Sequence, residues 1–261
     1  MVGARYRSRV ASNDASVVAT AAAAESAINL GIVTALTKTD QQSAKFPLQC
    51  RMPGGERIIV TVEEEVGKVD LNMATPAVLA RFFTALTRDQ SLGTRIAARI
   101  VEFRAPKRSE MGETKGPAAR PANEAAEPRF MTIMQLDQID GVSPQLFRAA
   151  LRFVTVRSGR TDPDVDAASP ALRTMLNLQQ KPAAPARGLP AGGSVTIRAD
   201  VSAPDGTRFI REALVTLGTG SGKPFVVREW RRGDIDSGTM TSPHDDERES
   251  SCLRIGEPVA S

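Results

Sequence analysis

The stretch that most constrains the fold runs Gly67-Lys-Val-Asp-Leu-Asn-Met-Ala-Thr-Pro-Ala-Val-Leu79, because it closes one element and opens another in a single signal. Upstream, Arg57-Ile-Ile-Val-Thr-Val-Glu is β-branched and reads as a strand. Thr75 then offers a side-chain oxygen as a helix cap, and Pro76 stands where the first helical N–H has no partner in any case. A helix starting at Pro76 follows.

The same device recurs at Ser143-Pro144 and Ser169-Pro170, and Thr132 with Gln135 has capping-box spacing. Pro76 to Leu86 and Leu92 to Arg104 are read as two short helices, the second with an apolar stripe of Ile96, Ile100 and Phe103. Short helices bury little alone, so more partners are needed. Ala105 to Arg129 holds Pro106, Gly112, Gly116, Pro117, Pro121 and Pro128 without a period and is read as a loop or disordered insertion.

Val17 to Leu36 is alanine-rich. Val17, Ala21, Ala24, Ile28, Ile32 and Ala35 fall on one helical face, with side chains small enough for a sheet or a second helix to come close. That face suits a private core and a contact with other chains alike. Lys38 to Gly55 reads as a loop. Toward the C-terminus, Val195, Ile197, Ala199 and Val201 alternate, Pro204-Asp-Gly makes a turn, and Phe209 to Leu217 returns as a second strand. Gly218 to Gly222 turns again into Phe225 to Trp230. With Arg57 to Glu64 these make four antiparallel strands interrupted by helices, an α+β fold. Trp230 alternates out of phase with Phe225 and Val227, which places it on the face of Val226, as a core residue under the long helix in preference to an exposed aromatic at an interface.

In this order, these signals resemble the general secretion pathway protein K family, the large minor pseudopilins of bacterial type II secretion systems. The motifs that carry the resemblance are Gly67 to Leu79, Phe130-Met-Thr-Ile-Met-Gln-Leu-Asp-Gln-Ile-Asp-Gly-Val-Ser-Pro144, Leu151-Arg-Phe-Val-Thr-Val, Asp205-Gly206, Arg211-Glu-Ala-Leu-Val and Phe225-Val-Val-Arg-Glu-Trp. The resemblance implies a pilin-like part over 1–65, an inserted all-helical domain of sterile-α-motif or helix-hairpin-helix kind over 66–180 with its loop at 105–129, a linker at 181–193, strands over 194–232 that complete the sheet, and a disordered tail at 233–261. It further implies a non-enzymatic component at the tip of a periplasmic fibre, partnered by smaller minor pseudopilins and held at the inner membrane. The face of Ala21, Ala24, Ile28 and Ile32 is the candidate assembly interface. The family begins with a leader and an apolar anchor; here Met1 to Val10 carries three arginines, and no stretch approaches the roughly 20 apolar residues of a membrane span. A start placed late, an anchor removed and an anchorless paralogue are the open alternatives.

Chemistry is sparse. The single His244 leaves no histidine pair for zinc and no hydrolase triad, so neither an enzyme nor a small-molecule substrate is expected. The net charge of +4 is spread along the chain and argues little for an anionic partner. Leu136-x-x-Ile-Asp-Gly-Val-Ser-Pro resembles a DNA-binding helix-hairpin-helix of competence receptors, the alternative function. But Ser143 replaces a hairpin glycine, Pro144 lacks an N–H and Asp140 adds negative charge, so phosphate binding is disfavoured. Asp162, Asp164 and Asp166 lack the rest of a calcium loop. Some members of the family bind calcium, yet their acidic run corresponds here to Arg104-Ala-Pro-Lys; no ligands and no cofactor are assigned. Gly218-Thr-Gly-Ser-Gly-Lys-Pro lacks the Ser/Thr and the helix of a phosphate loop. Cys50 and Cys252 either pair in an oxidising compartment or remain thiols.

Overall fold

The computed structural model describes residues 2–36, 46–105, 130–179, 193–218, 222–233 and 250–251. The loop expected at 105–129 and the linker at 181–193 fall almost wholly outside the described residues, as does most of the tail at 233–261. The chain divides into two compact units, Met1–Glu64 with Pro185–Ser261, and Glu65–Ala184.

The first unit is one long helix on an antiparallel sheet. Helix α1 (Val2–Leu36) carries β-branched and alanine residues at three- and four-residue steps, and Ala24, Ala27, Ile28, Ile32 and Ala35 are buried. Their partners are Ile58, Val60, Val195, Ile197, Ala199, Val201, Ala213 and Val215, the inward residues of strands whose alternation was legible in sequence. Gly31 sets the closeness of this packing: a Cβ there would meet Ile197 Cγ2 at 2.9 Å and Val60 Cγ1 at 3.0 Å. The helix begins fifteen positions before Val17, where the apolar period starts. Propagating a helix from a packed half costs far less than nucleating one, so the first turns need no apolar face.

Among the described residues the sheet has six strands in the order β7-β6-β5-β2-β1-β8. The four expected strands are β2 (Arg57–Glu64), β5 (Gly193–Ser202), β6 (Arg208–Leu217) and β7 (Phe225–Arg232), antiparallel neighbours in registers such as Val60 with Ala199 and Ile197 with Ala213. Two strands correct the sequence reading. β1 (Leu48–Arg51) lies in the stretch read as a loop, pairing antiparallel with β2, and the two-residue β8 (Ser250–Ser251) pairs parallel with β1. Four residues beside prolines and glycines carry too short a period to detect; the ladder offered by β2 makes them a strand. Cys50, buried in β1, is disulfide-bonded; the chain's other cysteine, Cys252, lies outside the described residues.

The sheet face away from α1 is held by charge. Arg208 grips Asp200 through two nitrogens, and Glu212 sits between Arg198 and Arg231.

The second unit is helical around its own core of Leu79, Phe82, Phe83, Ile96, Ile100, Phe130, Leu136, Leu172 and Leu176. Helices α2 (Pro76–Thr87) and α3 (Gln90–Arg104) cross where Gly93 lies on Thr84, too close for any Cβ. α4 (Pro144–Ala150) and α5 (Pro170–Leu176) follow. The three cap-then-proline signals behave alike: Thr75, Ser143 and Ser169 accept from the N–H groups of Val78, Leu146 and Leu172. Thr132 and Gln135 form the capping box, although the element they open, Ile133–Gln138, is a 3-10 helix.

A parallel bridge invisible in sequence joins β3 (Val69–Asp70) to β4 (Val154–Thr155). It presents Asp70, 1% exposed, to four donors: the N–H groups of Asn72 (2.8 Å), Met73 (3.2 Å) and Gly159 (2.8 Å), and the Ser158 hydroxyl (2.9 Å). The signature at Asp70-Leu-Asn72 is therefore structural. It ties the entrance of α2 to segments almost ninety residues away.

Candidate assembly surface

The four residues expected to form an assembly face are placed by the fold against the protein's own sheet. Ala24, Ile28 and Ile32 are buried in the first unit's core and Ala21 is half-buried beside them. Sequence could not separate these readings, because the same small side chains serve either contact. The opposite side of α1 is open at Val18 and Val33, Val18 to 68%, and Val17, at the N-terminal end of the sheet-facing stripe, is exposed as well. Ser16 donates to Asp205 and to Thr207 on the β5–β6 turn, and Thr20 donates to the Ser16 carbonyl at 2.6 Å. Toward the N-terminus from Ser16, every described side chain is exposed. α1 therefore runs on past the sheet for about four turns.

One further expectation is corrected here. Arg9–Leu36 is long and apolar enough to cross a membrane by length and composition. The alanine content hid this, since alanine contributes little to any single window of strongly apolar residues. The part from Ala24 onward is committed to the sheet.

In the inserted unit, the two sites weighed from sequence are tied up within the fold among the described residues. At the hairpin, Gly141 takes a left-handed φ of 90° against Leu92 and Ile96. Three of its donors are spent: Val142 N–H on the Ile139 carbonyl, Leu146 N–H on the Ser143 hydroxyl and Phe147 N–H on the Ser143 carbonyl. Asp140 lines an open pocket of about 540 Å³ with Arg99, Glu102, Phe103, Gln135, Gln138 and Ile139. Its charges are mixed, and Arg99 and Glu102 pair with each other at 2.8 Å.

Calcium, which the resemblance implies for some relatives, does not fit these residues. Asp164 is occupied by the Asp166 N–H and lies 3.9 Å from Arg160, and the Thr161 hydroxyl donates to Asp162. Where an acidic run was implied, the Arg104 guanidinium donates to the carbonyls of Leu71 (3.2 Å) and Ala74 (2.8 Å). Burial pushes its pKa below the ordinary value and the nearby Asp70 charge opposes that shift. A metal ion beside this cation would meet repulsion. Among the described residues no three acidic, histidine or cysteine side chains could hold a metal.

No protein-family model and no curated protein sequence matches the chain. Solved structures do. A chain in the crystal structure of the GspK-GspI-GspJ complex from the enterotoxigenic Escherichia coli type 2 secretion system matches over 88% of this chain and 100% of its own, with a TM-score of 0.52 at 16% identity. The chain has the pilin-like fold of that complex. Both units are needed to reach that coverage, since the first and second units each account for a large fraction of the chain. The match therefore takes in residues of both units, and the fold fits the family that the sequence motifs resemble.

Proposed function

We propose that this protein is a minor pseudopilin of a type II secretion system, a non-enzymatic component that helps initiate the pseudopilus at its tip. The observation that carries the reading is a fold match spanning nearly the whole chain, helical insertion included. The neighbour is a complex of three such chains, which supports other minor pseudopilins as partners. The part of α1 that extends past the sheet, with Val10 exposed, continues into the exposed Val17 and Val18 and supplies an apolar surface for bundling with neighbouring helices. The interface expected at Ala21, Ala24, Ile28 and Ile32 moves accordingly to Val17, Val18 and Val33, with Ala21 at its margin.

On this reading the helical unit stays on the periplasmic side of the inner membrane, and the N-terminal part of α1 serves at the membrane. The work is templating, with no chemical step. The test is deletion of the gene in its host with complementation by the full chain. Loss of protein export restored by the wild type, together with co-purification of the host's other minor pseudopilins, is expected. Export unaffected by deletion, with none of those partners recovered, would overturn it.

A further inference from the structure

The β7 edge of the sheet carries a group that the fold leaves half open. Arg228 is the extra residue of a bulge opposite Leu214 and Val215, and a bulge re-aims the side chains that follow it. Beyond it, Trp230 stands opposite Ala213 and Arg232 opposite Arg211. Directly opposed residues share a face, so Trp230 projects on the side where Ala213 and Val215 pack under α1, along with Phe225 and Val227. This corrects the placement beside Val226: the strict alternation assumed in sequence is broken at Arg228. It also corrects the expected burial. α1 packs mainly on β6, β5 and β2, and Trp230, the chain's one tryptophan, is 45% exposed.

The charges beside it are out of balance. Arg211 and Arg232 are like charges directly opposed across the strands, an arrangement that costs stability. Both guanidiniums lie over the Phe209 ring, 5.2 and 5.0 Å from its centroid. Arg211 donates to the half-exposed Glu25 at 2.6 Å, while its Nε is buried without an acceptor. Arg232 has no carboxylate partner among the described residues. Of the two cations, only Arg211 has a carboxylate. An open indole beside a surplus guanidinium is the combination that protein interfaces concentrate, with tryptophan and arginine dominating their binding energy. A nucleic-acid backbone would want a continuous positive field, which Glu25 interrupts.

We propose that Trp230, Arg232 and Arg211 form the docking site for a neighbouring pseudopilin subunit that presents an acidic side chain next to an apolar one. The carboxylate supplies the acceptor that the two arginines lack between them, and the apolar residue covers the indole. This rests on the pseudopilin reading and deepens it by naming the surface.

The experiment uses the full chain labelled with 5-fluorotryptophan, whose single fluorine resonance reports Trp230 alone, titrated with the soluble parts of the other minor pseudopilins from the same genome. Trp230→Ala, which leaves no tryptophan to label, Arg232→Glu and Arg232→Lys are titrated in parallel by calorimetry, with the unsubstituted chain as reference. The expected result is a saturable shift of the resonance, with affinity falling roughly tenfold or more for Trp230→Ala and Arg232→Glu and less for Arg232→Lys. A complex that forms with the resonance unmoved and every variant binding like wild type overturns the site while leaving the pseudopilin reading intact. Failure of every partner to bind overturns both. A shift produced by concentrating the chain alone identifies a second copy as the occupant and overturns the assignment to a different subunit.

Discussion

Asn72 and Phe130 are joined by two opposed hydrogen bonds, the Asn72 side-chain amide donating to the Phe130 carbonyl at 3.0 Å and the Phe130 N–H donating to Asn72 Oδ1 at 3.0 Å. The side chain stands in for a partner strand. Through it, the turn that opens α2 holds the point where the chain re-enters the helical core, with Phe130 packed on Phe103 at 4.6 Å between centroids.

Asn72→Ala is expected to lower stability by about 1–3 kcal/mol, because it leaves two backbone groups without their partner. Asp70→Ala should cost at least as much, since it strips the acceptor from four donors. Denaturant unfolding followed by circular dichroism measures both. A loss under about 0.5 kcal/mol, the range of ordinary surface changes, would mean that these bonds do not hold the unit together.

The helical unit, about Gly67 to Gln180, should fold when expressed alone, because its caps, its core and the β3–β4 bridge are internal to it. Amide spectra of that fragment check this. A collapsed, poorly dispersed spectrum would show that it needs the rest of the chain.

The two sides of α1 should respond oppositely to charge. Ala24→Glu buries an unpaired carboxylate against the sheet and is expected to destabilise by roughly 2–5 kcal/mol. Val18→Glu, on the open side, should shift stability by no more than about 0.5 kcal/mol while reducing recovery of partner subunits. Equal thermal midpoints for the two variants would overturn this division of the helix.

Glu212 makes the sheet acid-sensitive. Burial raises the pKa of its carboxyl, but the Arg231 and Arg198 ion pairs outweigh burial and hold it below the ordinary value of 4.5. Since the unfolded chain takes up the proton first as pH falls, the stabilisation is complete above the unfolded pKa and disappears as pH drops through the folded one. Glu212→Gln should therefore be less stable than wild type at neutral pH by about 1–3 kcal/mol. The gap should close in acid, below the ordinary glutamate range. A gap independent of pH would mean that the loss is one of packing.

Nucleic acid should not bind tightly near physiological salt, because the hairpin donors at Val142, Leu146 and Phe147 are already used within the protein. A titration with duplex DNA decides it. Sub-micromolar affinity that weakens steeply with salt and disappears when Arg148 and Arg152 are changed to glutamate would restore the competence-receptor alternative.

Features that depend on neighbours a few positions away were legible before any fold was known. Thr75-Pro76, Ser143-Pro144 and Ser169-Pro170 mark helix starts because a cap needs only its own third N–H. The strands at Val195 and Phe209 declare themselves through period-two alternation and a tight turn between them. What needed the tertiary structure was every feature set by a distant partner. β1 exists because β2 offers it a ladder, and Asp70 finds its role only when Ser158 and Gly159 arrive. Ala24 becomes core while Val18 stays open according to which side of α1 the sheet takes. The face of Trp230 followed from one unpaired residue, Arg228, because a one-residue slip in register moves every later side chain to the other side. Composition cannot signal such a slip, since it is a property of the pair of strands and of neither strand alone.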